Sequence, residues 1–408
     1  MQIAVIGGGA SGLFAALNAA WQGGHVTLFE RNATLGRKLL VTGSGRCNLS
    51  NDQVGASRYT CEDQSWMESL LALYGVPALT ETFHSIGIPT HKTWDGWHYP
   101  QSDSAHSLVK ALSHAVQAAG VHMHTSCQVL DLTLLEKGFR VVFLQQGNQQ
   151  SQDFDKVIVA SGGKAYPTLG TKGELFPVLA RLGHSVRPIH PALAPVLAEL
   201  GPLKSLQGVR LDLGVELSQA NTPVAHAAGN MIFTEWGLNG PAVMDISHHI
   251  PEQPGDVWEI SLNLLHYVEA DFNGLLSQKR QTPFPANLLL SAFFPPKVVQ
   301  CYLSLAGIPE DAPLNSLDEQ SLDQLIDRLN STRLKVTGVR GYKYCQASSG
   351  GVPVSEVYPT TLESRIHPGL HLTGETLDVV GPCGGFNLHF AFASGALAGK
   401  ATAQSPER

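Results

Sequence analysis

The chain has 408 residues, is 43% hydrophobic and only 15% charged, and carries 41 glycines and a net charge of −7. That length and composition predict two or three packed domains of a buried α/β enzyme, and exclude a charge-laced helical scaffold. The acidic balance excludes a global basic field that would draw the chain onto nucleic acid or an anionic membrane, and leaves room only for a local basic surface.

In chain order, "QIAVIGGG" (residues 2–9) is a short apolar run ending in glycines and predicts a buried parallel strand. Residues 10–22 follow with Leu13, Ala16, Leu17 and Ala20 at helical spacing, and "HVTLFE" (25–30) predicts a second buried strand. This β-α-β order sets an α/β fold class. Residues 104–119 predict an amphipathic helix with Ser104 as its N-cap. "HMHTSCQVLDL" and "GFRVVFLQQ" alternate as strands, and "KVIVASGG" (156–163) is another apolar strand ending in glycines. After about residue 187 the character changes. A proline-dense segment leads into "GVRLDLGVEL" and "VWEISLNLL", which read as strands of a separate sheet. Residues 266–335 then turn helical and more polar, with a break at Pro295–Pro296. Glycine-rich segments resume at 341, and "LHLTGE" leads through "GPCGGFN" into a closing helix. The pattern predicts a discontinuous nucleotide-binding domain, 1–187 plus 341–408, an inserted β-rich domain at 188–265 and a small helical subdomain at 266–340.

Six cysteines at irregular spacing, with no C-x-x-C pair, predict reduced thiols in a cytoplasmic protein. No signal-peptide pattern precedes "IAVIGGG", and no apolar run is long enough for a membrane span. His122 and His124 form an H-x-H and His248 and His249 are adjacent, but no carboxylate or cysteine cluster completes a metal site, so none is expected.

The turn "GGGASG" carries the first chemistry. Gly7 permits a tight strand-to-helix turn, Gly9 lets the backbone approach a pyrophosphate, and Gly12 and Ala16 let the helix pack closely on the sheet. Ala10 and Ser11 lie within the same turn, at a helix N-terminus whose free N–H groups suit phosphate. Gly23 continues the spacing, and Glu30 closes the second strand, where a carboxylate accepts bonds from ribose hydroxyls and repels a 2′-phosphate. A glycine-rich turn without a ligand is the bland alternative, and the strand–turn–helix–strand context with its terminal acid argues against it. This turn alone leaves FAD and NAD both open.

The end of the chain separates them. Flavoproteins of the glutathione-reductase type return with an apolar strand ending in Gly-Asp or Gly-Glu, whose acid holds the ribityl chain, and Gly374–Glu375 fits. "GGFN" then caps the closing helix, so that the N–H groups of Gly385, Phe386 and Asn387 face the flavin pyrimidine and stabilise negative charge there. An NAD dehydrogenase needs no such return. "LGRKLLVTGSGRCNLSN" (35–51) is glycine-rich and basic directly after the ribose acid, and Arg37, Lys38 and Arg46 are placed to reach phosphates or pair with acids. Arg31 and Cys47 belong to the same set of expected cofactor neighbours. Cys47 has no second cysteine near it for a redox pair, and its default role is packing.

"GRKLLVTGSGRCNLSN", "VIVASGGKAYPTLGTKGE", "WGLNGPAVMDIS" and the segment from "SSGGVPVSEVYP" to "GPCGGFNLHFAFASG" resemble, in order, the motifs of the BaiN/RdsA-type bacterial flavoproteins. The resemblance spans nearly the whole chain. It implies a Rossmann-like FAD-binding domain with an inserted β-rich domain and a small helical one. It carries cofactor roles to Gly7, Gly9, Ser11, Gly12, Glu30, Lys38, Gly43, Arg46, Ala160, Gly162, Glu375, Phe386 and Asn387, and sets Val129 against adenine through its backbone. Two departures stand out: Cys383 where threonine is usual, and "TEWGLNGPA" in place of "THFGLSGPA".

The resemblance also implies chemistry. NAD(P)H reduces FAD, hydride passes to the electron-poor carbon of a conjugated carbonyl, and a side chain or water protonates the neighbouring carbon. Cys47, Cys345, Tyr342 and Tyr344 are the candidate proton donors. Three functions compete. The first, slightly favoured by the full-length motif match, is reduction of uracil to dihydrouridine in ribosomal RNA, with Arg328, Arg333, Lys335, Arg340 and Lys343 in residues 328–343 as a local basic surface. The second is reduction of a small enone, such as a bile-acid-like one, in an apolar pocket. The third is a flavin-binding interaction protein without catalysis.

Overall fold

The computed structural model describes residues 1–252, 254 and 257–403. The chain divides into two compact units, Met1–His190 with Gln346–Arg408, and Pro191–Cys345.

The first unit is built on a five-stranded sheet, in the order Leu370–Leu372, Lys156–Val159, Gln2–Ile6, His25–Phe29, His122–His124. Every neighbouring pair is parallel. The continuous apolar runs follow from that: Ile3–Ile6, Val26, Leu28, Phe29 and Val157–Val159 are all buried, as strands covered on both faces require. The register is level at the carboxyl ends, because Ile6 pairs with both Phe29 and Val159, Phe29 with His124 and Val159 with Leu372. The residues that leave these strands therefore emerge side by side: Gly7, Glu30, Ala160 and Thr373.

Two buried helices cross the middle of this unit. The first, Ala10–Trp21, and the closing helix, Phe386–Ala403, meet through small residues. A Cβ on Gly395 would stand 2.1 Å from the Ser11 carbonyl oxygen, and one on Gly399 would stand 2.3 Å from that of Ala15. The backbones are thus in van der Waals contact, which no larger residue permits. Ala105–Ala118 is a further helix, with Ser104 Oγ accepting from the Ser107 N–H at 3.2 Å as an N-cap. An antiparallel meander (Cys127–Leu134, Phe139–Gln145, Asn148–Phe154) and a small sheet (Ser50–Asn51, Trp97–Pro100, Thr90–Lys92) complete the unit.

The second unit is a closed six-stranded barrel: Val196–Ala198, Gly237–Asn239, Thr222–Phe233, Arg210–Gln219, Trp258–Asn263 and Thr332–Val339. Here the structure corrects the division into a β-rich 188–265 and a helical 266–340. The helices Glu269–Lys279, Ala286–Ser291, Pro296–Leu305 and Glu319–Asn330 do lie in that stretch. Thr332–Val339, however, is the strand that closes the barrel, pairing with Trp258–Asn263 on one side and Val196–Ala198 on the other. Without it both neighbours would be open edges, and closure removes them. Among the described residues, no helix is long and apolar enough to cross a membrane.

The close helix contact generates a test. Gly395→Val forces two methyls into the Ser11 carbonyl, and overpacking of that kind costs roughly 2–3 kcal/mol. Chemical denaturation is expected to show that loss, while Lys137→Ala on the exposed surface leaves stability within about 0.5 kcal/mol of the parent.

Candidate functional site

The level strand ends gather most of the sequence-selected residues. Gly7 leaves the first strand with φ +109°, and a Cβ there would stand 2.4 Å from the Ala160 carbonyl oxygen. A Cβ on Gly12 would stand 1.8 Å from the Gly7 carbonyl oxygen. Those two glycines thus hold the turn against the neighbouring strand end and against the helix's own start. Gly9 differs. It has ordinary extended geometry (φ −83°, ψ −166°), yet nothing lies within 4 Å of where its Cβ would project. Fold packing does not require glycine here, and the space it leaves lies at the N-terminus of a twelve-residue helix.

Glu30 stands beside that turn and is buried. Its Oε2 accepts from the Gly8 N–H at 2.8 Å, and its Oε1 accepts from the backbone and side-chain nitrogens of Asn32, both at 2.7 Å. A carboxylate has about four acceptor positions, so one remains. Arg37 donates to Asn32 Oδ1 at 2.8 Å and so orients the amide that orients the acid. Arg31 instead pairs with Glu174 at 2.6 Å. Val129 is buried in the strand that starts where the Cys127 N–H donates to the Glu30 carbonyl at 2.9 Å. On the other side of the row, Lys38 Nζ bridges both oxygens of Glu375, at 2.9 and 2.7 Å. Gly162, with φ +75°, and Gly374, beside Ser11 Oγ, flank that pair.

A second cluster forms around the start of the closing helix. Gly385 has φ +98°, and a Cβ there would stand 2.6 Å from the Ser50 carbonyl oxygen and 2.7 Å from Asn48 Oδ1. Both amide atoms of Asn48 are buried without a hydrogen-bond partner among the described residues. Gly43 packs on the backbone of Asn48 and on Tyr99, and the Arg46 guanidinium lies 4.4 Å from the centre of the Tyr99 ring. The side chain of Asn387 turns back to Gly381, accepting from its N–H at 2.9 Å and donating to its carbonyl at 2.7 Å. Phe386 is buried, and its carbonyl accepts from Tyr59 Oη at 2.9 Å. Beneath them His389 is fully buried. Its Nε2 meets the Tyr74 carbonyl at 3.1 Å and its Nδ1 meets Ser50 Oγ at 2.8 Å. Burial pulls its pKa down to about 4, so it is a neutral prop.

The four proton-donor candidates fall in two places. Cys47 lies in the first unit, fully buried, with φ +62°, and burial pushes its thiol up to about 12. It keeps its proton and is no nucleophile. Tyr342, Tyr344 and Cys345 belong to the second unit. Burial, with Glu252 bonded to it, raises Tyr342 well above the ordinary phenol range. Cys345 is buried, with Sγ 3.7 Å from the Tyr342 carbonyl, and Tyr344 is half exposed.

The family model of the HI0933-like protein Rossmann domain matches residues 1–401. The chain belongs to that family. It is 36% identical over 415 aligned positions to a 3-dehydro-bile acid delta(4,6)-reductase of Clostridium scindens, covering 99% of this chain and 100% of the relative. It is 30% identical over 394 positions to the ribosomal RNA dihydrouridine synthase of Escherichia coli, covering 96% of this chain and 95% of the relative. In fold it is similar to the 3-ketosteroid-delta4-(5alpha)-dehydrogenase of Rhodococcus jostii RHA1, with a TM-score of 0.53, 15% identity and coverage of 99% and 97% of the two chains. This HI0933-like chain is therefore an oxidoreductase built on a Rossmann-type FAD-binding domain.

Asn32, Asn48, Tyr99 and His389 join these clusters without having been singled out from the sequence. Asn32 and Asn48 each stand one or two residues from a selected one, within "ERN" and "GRCN". Tyr99 and His389 carry no local signal, since only the pairing of Ser50 with His98 and the start of the closing helix bring their neighbourhoods together.

The contrast between Gly9 and Gly12 is testable. Gly9→Val is expected to keep the unfolding free energy of the ligand-free protein within about 0.5 kcal/mol and to cut retained FAD at least roughly tenfold, a loss of about 1.4 kcal/mol in binding. Gly12→Ala is expected to lower the stability itself. Flavin absorbance per chain and denaturant melts of both variants check this.

Proposed function

We propose that the protein is an FAD-dependent reductase that saturates the activated C=C bond of a small conjugated carbonyl compound with electrons drawn from NAD(P)H. The observation that carries the cofactor reading is the pair of openings on one unit: the space over Gly9 beside Glu30, and the unpartnered Asn48 amide beside Gly385. The residues fit FAD. Backbone N–H groups of Gly9, Ala10 and Ser11 would hold the pyrophosphate, the remaining Glu30 acceptor position the ribose, and the Val129 backbone the adenine. Glu375, held by Lys38, would serve the ribityl chain, with Ala160, Gly162 and Gly374 beside it. Gly43, Arg46, Asn48 and the amides of Gly385, Phe386 and Asn387 serve the ring end, where a helix N-terminus favours negative charge. When bound, FAD supplies the hydride relay from nicotinamide to an electron-poor carbon. The chain's own part is to fix the ring edge and keep the helix dipole aimed at it, which the neutral His389 does by tying Ser50 to the Tyr74 carbonyl.

The substrate class rests on the charge of the second unit. Lys335 pairs with Glu199 at 2.8 Å and lies opposite Glu259 on the neighbouring strand. A nucleic-acid backbone would meet a partly neutralised stretch there, and few phosphate contacts give weak binding. The sequence slightly favours ribosomal RNA, and this neutralised stretch supports the small-molecule reading instead. The RNA reading remains as the second one, supported by the exposed Arg328, Arg333 and Lys343 and by the Escherichia coli relative. The six free cysteines fit a cytoplasmic enzyme.

The test is anaerobic. NADH or NADPH is expected to bleach the flavin of the purified holoprotein, and a conjugated steroid enone is expected to restore its colour with one equivalent of saturated product. A flavin that nicotinamide reduces and no enone reoxidises would sink the reading. Loss of dihydrouridine from the ribosomal RNA of a deletion strain, measured by mass spectrometry, would move the assignment to RNA.

A further inference from the structure

Asn48, Asn51 and Asn387 stand around the start of the closing helix, and the protein pins the side chains of two of them. Asn51 Oδ1 accepts from the Gln53 N–H at 2.9 Å, and its Nδ2 donates to the Gly384 carbonyl at 3.2 Å. Asn387 is held at both amide atoms by Gly381. Asn48 is the exception. It is only 5% exposed, and neither its Nδ2 nor its Oδ1 has a partner among the described residues. Its backbone is fixed on both sides. The Cys47 N–H donates to the Thr42 carbonyl at 3.0 Å, and the Leu49 N–H donates to the His98 carbonyl at 2.7 Å. Gly43 lies so close that a Cβ on it would stand 2.8 Å from the Asn48 nitrogen.

The chemistry of a carboxamide specifies what completes it. It sets N–H donors beside a carbonyl acceptor, so a partner that satisfies both ends presents an acceptor next to a donor. Asn48 Oδ1 lies 2.7 Å from where a Cβ on Gly385 would project, at the start of the helix Phe386–Ala403. A helix N-terminus offers only donors. An N–H on a ligand seated against it needs its acceptor from elsewhere, and Asn48 Oδ1 is such an acceptor. The oxidised isoalloxazine ring carries one N–H, at N3, between the C2 and C4 carbonyls. That imide edge sets a donor beside an acceptor. The edge formed by N5 and the C4 carbonyl sets two acceptors together and would leave Oδ1 unmet.

We propose that Asn48 recognises the imide edge of the flavin, with Nδ2 donating to a ring carbonyl and Oδ1 accepting the N3–H. The proposal rests on the FAD reading above and deepens it: Asn48 of the "GRCN" loop selects the ring system by a paired donor and acceptor, and the helix N-terminus contributes charge. An unsatisfied buried amide destabilises the flavin-free chain, and pairing on binding removes that penalty. Stability without flavin and affinity for flavin therefore oppose one another at this residue.

The experiment strips the full-length chain of flavin and titrates it with FAD, N3-methyl-FAD and 5-deaza-FAD, with binding read by calorimetry. The wild type is expected to bind FAD about tenfold more tightly than N3-methyl-FAD. Asn48→Leu, close in size and without polar atoms, is expected to bind those two alike and both more weakly than the wild type binds FAD. Its flavin-free form is expected to melt at a higher temperature than the flavin-free wild type. Asn48→Ala reports the same loss of discrimination with a smaller side chain. Equal affinity of the wild type for FAD and N3-methyl-FAD overturns the proposal and leaves the FAD reading standing, and so does a preference for FAD that survives intact in both variants. Discrimination against 5-deaza-FAD that vanishes in the variants, with N3-methyl-FAD bound as tightly as FAD, overturns it in favour of a contact at N5. A folded wild type that takes up none of the three sinks the FAD reading itself.

Discussion

The level register of the parallel strands is the constraint on which the first unit depends. Parallel pairing aligns strand ends that lie up to 366 residues apart in sequence, and Ile6, Phe29, Val159 and Leu372 finish in one row. Whatever follows those residues is delivered to the same edge. That is why a glycine turn, an acid, a second glycine turn and a Gly-Glu pair converge without long loops to carry them, and why open parallel sheets bind ligands beyond their carboxyl ends. The row tolerates no slack. The Gly7 turn lies against Ala160, Gly12 against Gly7, and Gly395 against Ser11, so the closing helix packs on the same turn that the first strand feeds.

Electrostatics then refine the edge that packing has made. Glu30 is buried, and three N–H donors satisfy its oxygens beside a helix N-terminus. Glu375 is oriented by Lys38. The only amide buried without a partner in this neighbourhood is Asn48, among the described residues. An unsatisfied amide costs about 1–3 kcal/mol, and its position beside Gly385 gives that cost a reason if a ligand edge completes it.

Much of this was legible in the sequence because it is local. The strand–turn–helix–strand order and the acid at residue 30 follow from periodicity and spacing within short windows, and the Gly-Glu of 374–375 from its likeness to the returning strand of glutathione-reductase-type flavoproteins. What resisted was long-range. Tyr99 meets Arg46 only through the small three-stranded sheet, and His389 meets Ser50 across more than 300 residues. Thr332–Val339 alternates cleanly, but it follows four helices, and only barrel closure shows that it belongs with Trp258–Asn263. The basic stretch looked unopposed because Glu199 and Glu259 are distant in sequence and adjacent in space.

The first unit supplies the cofactor edge, and the second is a closed barrel. Everything functional assigned to either depends on the first unit holding a flavin. The most direct measurement is the absorbance spectrum of the purified full-length protein after incubation with FAD and removal of the excess. The account predicts a flavin band corresponding to one FAD per chain. A folded, colourless protein that takes up no FAD would contradict it.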